Sequence, residues 1–291
     1  MSRFRLILLI LQHIVSQLKP DLIFKTELMK IGIIGAGNMG GAIARGLAAA
    51  SSASSPLHIT ATSPNNHGEL DALKRDFPGV DVSTDNTAAV RGTDIIIVAV
   101  KPWLLDEVMN TLKDSIDFGS QIIVSIVAGA TLEHLASFAG EKKSTVFELI
   151  PNTAISVHES MTFIAHRGAS QQQVEMVNAL FAKLGGTMVV EERLIPGCMA
   201  LASCGIAYVM RYIRAAVEGG VELGVKPDDA KRIMLQTMTG AVALLEATGN
   251  HPEAEIDKVT TPGGLTIKGL NAMEANGFTH SVIEGLKASV K

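Results

Sequence analysis

Cysteine is nearly absent: Cys198 and Cys204 are the only two in 291 residues. Two cysteines cannot build a disulfide framework, and so few of them fit a reducing cytoplasm, the compartment expected here. Their spacing points them to different faces of a helix, so no metal site is expected and both read as small buried side chains. An excess of basic charge is lacking too. The formal net charge is -4, which supplies no field for a phosphate backbone and argues against nucleic acid as a partner. Disorder is excluded by 47% hydrophobic against 19% charged residues. A complete signal peptide is also missing. Arg3 and Arg5 precede the run Leu6-Ile7-Leu8-Leu9-Ile10-Leu11, but the chain continues to Pro20 without a small-residue cleavage site. That run is too short to span a bilayer. Residues 1–28 are therefore expected to be an N-terminal extension outside the fold, with Met29 the functional start.

From Met29 onward, apolar β-branched runs alternate with helical patterns. Ile31–Ile34, Leu57–Thr62, Val80–Val82, Asp94–Val100, Gln121–Ser125 and Thr145–Leu149 read as strands, with Met161–His166 and Thr187–Val190 added beyond them. Short buried strands between helices predict an α/β fold with a doubly wound parallel sheet. After Glu191 the strand signals stop. Leu194 to Met210 holds no charged residue and is crowded with Gly, Ala, Ser and Cys. It lies near the lower limit for a membrane span, yet it continues into Arg211, Arg214, Glu218 and Glu222 without an interfacial break. A helix buried between subunits is the expectation, and no membrane partner. Pro227-Asp228-Asp229 opens another helix, and a third helical region runs from about Gly263 to the end. The predicted division is residues 29–190 as a dinucleotide-binding domain of Rossmann type and 191–291 as an all-helical domain.

The dinucleotide assignment rests on Gly35-Ala36-Gly37-Asn38-Met39-Gly40. Glycine turns of this spacing are common, but this one follows an apolar strand and opens a helix at the start of a βαβ unit. Gly35 permits the tight turn, Gly37 lets backbone approach a pyrophosphate, and Gly40 lets helix and strand pack closely. The N–H groups of Asn38 and Met39 then belong to a helix start that favours anions. NADH-selective sites place an acid at the end of the second strand. From Ile31 to Gly68 there is no Asp or Glu, and the strand ends in neutral donors that include Ser63 and Asn65. NADPH is the expected cofactor, with NADH the alternative. Val100-Lys101-Pro102, Ala128-Gly129 and Asn152 end later strands at the same edge and complete the expected cofactor contacts.

A second unusual segment runs Asp257-Lys258-Val259-Thr260-Thr261-Pro262-Gly263-Gly264-Leu265-Thr266-Ile267. Hydroxyls and paired glycines at a helix start form an anion nest suited to a small carboxylate. Simple capping by Thr260 or Thr261 is the plainer alternative, but it would not call for two glycines.

With these motifs, the chain from Met29 to Lys291 resembles the pyrroline-5-carboxylate reductases. The resemblance rests on Ile33-Ile34-Gly35-Ala36-Gly37-Asn38-Met39-Gly40, Val100-Lys101-Pro102, Pro151-Asn152-Thr153 and, above all, Thr261-Pro262-Gly263-Gly264-Leu265-Thr266. It implies reduction of 1-pyrroline-5-carboxylate to L-proline, with a helical domain that interleaves in a homodimer and in many members assembles further to a decamer. It also implies that Thr261 and the backbone N–H groups of Gly263 and Gly264 receive the substrate carboxylate, while Thr266 hydrogen-bonds the ring nitrogen. Two segments depart from the family pattern. Ser203-Cys204-Gly205-Ile206-Ala207-Tyr208 stands where Gly-Ser-Gly-Pro-Ala-Tyr is usual, and Ala154-Ile155 stands where a Pro is common.

A protonated imine is already electrophilic, so positioning and one hydrogen bond at nitrogen suffice, and Thr266 is the expected catalytic residue. No well-placed catalytic His or Lys emerges, and His158 and His166 read as structural. A β-hydroxyacid dehydrogenase shares the glycine turn but needs a Lys early in the long helix, and Leu194–Met210 has none. A non-catalytic NADPH-sensing protein is the alternative from another class.

Overall fold

The computed structural model describes residues 28–290; the rest of the expected extension, 1–27, lies outside the described residues. One eight-stranded sheet has the order β3-β2-β1-β4-β5-β6-β7-β8. Its strands are β1 (Met29–Ile34), β2 (Leu57–Thr62), β3 (Asp81–Ser83), β4 (Ile95–Val98), β5 (Ile122–Ser125), β6 (Thr145–Ile150), β7 (Ser160–Arg167) and β8 (Gly185–Val189). The pairs β1–β2, β1–β4, β2–β3, β4–β5 and β7–β8 are parallel. The strand order reverses between β1 and β4, the switch point at which such sheets bind ligands. Ile31, Ile33, Ile34, Ile95, Ile96, Ile97 and Val98 are fully buried, which explains why these strands read as unbroken apolar runs.

By internal contacts the chain divides into two compact units, one ending at Phe147 and regaining Arg167–Leu184, the other holding Glu148–His166 and Gly185–Lys291. The first unit carries α1 (Asn38–Ala49), α2 (His67–Asp76), α3 (Leu105–Leu112), α4 (Leu132–Ser137) and α5 (Gln171–Phe181). α5 opens on a capping box, in which Ser170 and Gln173 satisfy each other's backbone N–H. The second unit holds α6 (Ile195–Met199) and α7 (Gly205–Glu222), then α8 (Pro227–Thr248), α9 (Pro252–Val259), α10 (Leu265–Ala275) and α11 (Phe278–Ala288). Pro227 and Pro252 each occupy a first turn, where the missing N–H costs nothing. No strand follows β8 among the described residues, as the sequence predicts.

The apolar stretch expected to lie between subunits belongs to a helical run over Glu192–Glu222. It is long and apolar enough to cross a membrane by length and composition, and 11% of its apolar window is buried within the chain. The rest of that surface is not covered within the described residues.

Candidate functional site

In the first unit, the backbone after β1 is shaped to receive an anion. The Thr62 carbonyl accepts the N–H groups of Gly35 (2.9 Å) and Ala36 (2.8 Å), which ties the turn to the end of β2. Gly35 has φ +98°, and a Cβ there would stand 2.9 Å from the Ala99 carbonyl oxygen, so a side chain is excluded twice. A Cβ on Gly40 would stand 2.3 Å from the Gly35 oxygen; this glycine lets α1 press onto the turn. Gly37 is different. Its φ of -93° suits any residue, and no protein atom lies within 4 Å of its Cβ position. The protein itself does not require glycine there. The space at its Cβ position is open, and such an unobstructed approach to the backbone fits a dinucleotide pyrophosphate. α1 has no side-chain cap and no acid in its first turn, so the N–H groups of Asn38, Met39 and Gly40 face no internal competitor.

The end of β2 is fixed by Thr62, whose single hydroxyl proton is shared between Asn86 Oδ1 (2.8 Å) and the Ile33 carbonyl (3.2 Å). Ser63 follows, buried, with its N–H on the Ser83 carbonyl at 3.1 Å, and Asn65 is exposed. Asn66 of the same cluster donates from Nδ2 to the Ala36 carbonyl at 3.3 Å and so braces the glycine turn. The first acid after the acid-free stretch, Glu69, is paired with Arg45 on α1. Lys74 donates to the Pro78 (2.9 Å) and Val80 (2.8 Å) carbonyls, and Arg75 pairs with Asp76 at 3.1 Å. Glu69, Lys74 and Arg75 of α2 thus have partners of their own, which leaves neutral donors at the strand end.

At the end of β4, the Ala99 N–H donates to the Ile34 carbonyl at 2.8 Å, and Val100 Cγ1 lies 3.1 Å from the Cβ position of Gly35. Lys101 precedes a short 3-10 turn, Pro102–Leu104, in which Trp103 is 76% exposed. After β5, Gly129 takes φ +80°, and the Ala130 N–H closes the turn on the Val127 carbonyl at 3.2 Å, with Ala128 and Gly129 exposed. The first unit therefore gathers Gly35, Gly37, Asn38, Met39, Gly40, Ser63, Asn65, Val100, Lys101, Pro102, Ala128 and Gly129 along the carboxyl edge of neighbouring parallel strands.

Asn152 belongs to the second unit. It is buried; its Oδ1 accepts the Ala154 N–H at 3.0 Å, and its own N–H donates to Ser160 Oγ at 3.1 Å. His158 closes the 3-10 turn Thr153–Val157 in the left-handed region, with φ 61°.

The nest lies in the second unit as well. Thr260 turns its hydroxyl back to the Asp257 carbonyl (3.2 Å), and α10 starts on Gly264 with no side-chain cap, so capping does not explain the motif. Gly263 takes φ +70°, and the Gly264 N–H closes the turn on the Thr261 carbonyl at 2.9 Å. A Cβ on Gly264 would stand 2.5 Å from Thr261 Oγ1, so the second glycine makes room for that hydroxyl. Thr261, Gly263 and Thr266 are exposed beside an uncapped helix start, an arrangement able to hold a carboxylate. The Gly264 N–H is already engaged within the turn.

Glu148 escapes sequence reasoning. It sits buried in β6, and its carboxyl is pushed up to about 7, first by burial and then by the charge of Glu192. A lone acid inside the apolar run Thr145–Ile150 was the available signal.

Comparison with known proteins adds to this geometry. A family model described as pyrroline-5-carboxylate reductase dimerisation matches residues 192–291, and one described as NADP oxidoreductase, coenzyme F420-dependent, matches residues 30–129. Pyrroline-5-carboxylate reductase 1 of Dictyostelium discoideum is 40% identical over 89% of this chain, which spans 48%, about half, of that protein's length. Pyrroline-5-carboxylate reductase 2 of the same organism is 34% identical over 90% of this chain and 91% of its own. The crystal structure of the Plasmodium falciparum pyrroline carboxylate reductase with NADP bound superposes with a TM-score of 0.78 at 26% identity, covering 90% of this chain and 95% of that one. The chain belongs to the pyrroline-5-carboxylate reductase family.

Proposed function

We propose that the protein reduces 1-pyrroline-5-carboxylate to L-proline with NADPH. When bound, the reduced nicotinamide supplies a hydride to the carbon of the C=N bond. The glycine turn and the free start of α1 hold the pyrophosphate. Ser63 and Asn65 present hydrogen bonds, not a carboxylate, toward a 2′-phosphate, and Val100, Lys101, Pro102, Ala128, Gly129 and Asn152 line the rest of the dinucleotide. Thr261 and the Gly263 N–H bind the substrate carboxylate, Gly264 makes room for the Thr261 hydroxyl while its own N–H stays on the Thr261 carbonyl, and the Thr266 hydroxyl orients the ring nitrogen. Because that nitrogen is protonated before reaction, its lone pair returns as the C–H bond forms and no strong protein acid is required.

The observation that carries this reading is the uncapped, glycine-paired start of α10 in a chain that also holds a dinucleotide turn. Residues 29–190 serve the cofactor and 191–291 the substrate and self-association, as a homodimer able to assemble further, to a decamer. Both cysteines are free thiols, which supports a cytoplasmic setting, and the uncovered helix surface is read as a subunit interface in place of a membrane contact. The test is the loss of reduced-nicotinamide absorbance on adding pyrroline-5-carboxylate. Cofactor binding without turnover across imine and keto-acid substrates would sink the enzyme reading.

A further inference from the structure

The acid-free stretch of sequence ends at Glu69, and the fold brings this first carboxylate back against the helix that follows the glycine turn. α2 starts from its cap Asn66, whose Nδ2 reaches the Ala36 carbonyl at 3.3 Å, and Glu69 stands in the first turn after that cap. A Cβ on Gly41 would collide with Glu69 Oε1 and would stand 3.2 Å from Arg45 Nη1. The bare backbone of α1 is thus the bed on which the Arg45–Glu69 pair lies. Gly41 is one turn past Gly37, to whose carbonyl its N–H donates at 2.7 Å. All of these residues belong to the first compact unit.

A free carboxylate is unwelcome in that place. Pyrophosphate at the start of α1 and a 2′-phosphate at the end of β2 are both anions, and the second adds about 1.5 to 2 negative charges near pH 7. NADH carries only the first, so a bare carboxylate here would disfavour NADPH the more. Lys74 is held by the Pro78 and Val80 carbonyls and Arg75 by Asp76, whereas the Arg45 guanidinium sits directly on Glu69. Its side chain is 33% exposed and that of Glu69 25%, so solvent alone would screen the acid incompletely.

We propose that Arg45 is a positioning residue for cofactor choice: by binding Glu69 against Gly41 it cancels the one acid that the fold returns to the dinucleotide turn, and so lets the site accept a 2′-phosphate. The inference rests on the reading of the β2 end, with Ser63 and Asn65, as the 2′-phosphate edge. Titration calorimetry with NADP+ and with NAD+ tests it without requiring turnover. Arg45→Met is expected to weaken NADP+ binding about 3- to 10-fold while NAD+ binding stays within about twofold. Raising the salt to about 0.5 M should shrink that loss, because a bare charge is screened and a damaged fold is not. Adding Glu69→Gln to Arg45→Met should restore NADP+ binding, since the two act through one pair, and Arg45→Lys should keep most of it. If the methionine variant does not fold, Glu69→Gln alone decides: it frees the guanidinium and should tighten NADP+ and not NAD+. Equal loss of both nucleotides in Arg45→Met, wild-type affinity for both, or no recovery in the double variant overturns the proposal, as does an unchanged NADP+ affinity in Glu69→Gln. A wild type that binds neither nucleotide would instead overturn the cofactor reading on which the proposal stands.

Discussion

At Gly37 the backbone lies where any residue is allowed, and no protein atom lies within 4 Å of the Cβ position. Gly37→Val is therefore expected to melt close to wild type while binding NADPH at least about tenfold more weakly, since its methyls enter the space of the pyrophosphate. Gly35→Ala should behave in the opposite way. At φ +98° it strains the turn itself, on the order of 1 to 3 kcal/mol, and calorimetry of unfolding would register the loss before any ligand is added. On the substrate side, Thr266→Ala should lower kcat/KM for pyrroline-5-carboxylate with little change in NADPH affinity. An unchanged kcat/KM would remove Thr266 from the mechanism. Gly35 and Gly40 were legible because the motif states their backbone demand directly, whereas Thr266 was singled out through the family resemblance. Gly32 was not: it reads as one more strand residue, yet a Cβ there would lie 1.6 Å from the Ala89 carbonyl oxygen. That demand comes from a segment more than fifty positions away, and no local pattern announces it.

Among the elements, β6 carries a buried proton switch that folding itself creates. Glu148 is held at about 7 against an ordinary 4.5. Below 4.5, folded and unfolded chains both keep the proton and the group is neutral with respect to stability. Between the two values the unfolded chain releases it and the folded chain does not, so stability falls as pH rises. Above about 7 the loss is complete, on the order of 3 kcal/mol. Glu148→Gln should accordingly raise the melting temperature at about pH 8, leave it nearly unchanged near pH 5, and flatten the slope between them. Thermal melts across that window check the sign. Strands β4, β5 and the Ile31–Ile34 part of β1 were readable because burial on both faces makes them almost wholly apolar. α9 was missed, since Pro252–Val259 is short and carries Glu253, Glu255, Asp257 and Lys258 with little apolar period. The π-helical turn at Ala200–Cys204, between α6 and α7, was illegible for a different reason: its residues suit an ordinary helix.

For the molecule as a whole, the helices after β8 leave Leu201, Met210, Ile233 and Leu244 more than half exposed. Apolar side chains in such number along neighbouring helices need a partner surface, and the match to a dimerisation family model says what kind. Sedimentation velocity should find the wild type as a dimer or larger. Leu244→Asp, a charge placed on that surface, should shift it toward monomer and lower activity together. The apolar composition of 194–210 marks a helix in need of cover, but not the residues that would supply it, because covering is a property of two chains. Trp103, the single tryptophan of the chain, stands in the open on the turn that follows β4, three positions after Val100. Indole emits in the band where reduced nicotinamide absorbs and oxidised nicotinamide does not. The protein thus carries its own optical gauge, one lamp at the rim of the cofactor edge, by which filling and turnover can be watched in the unlabelled chain.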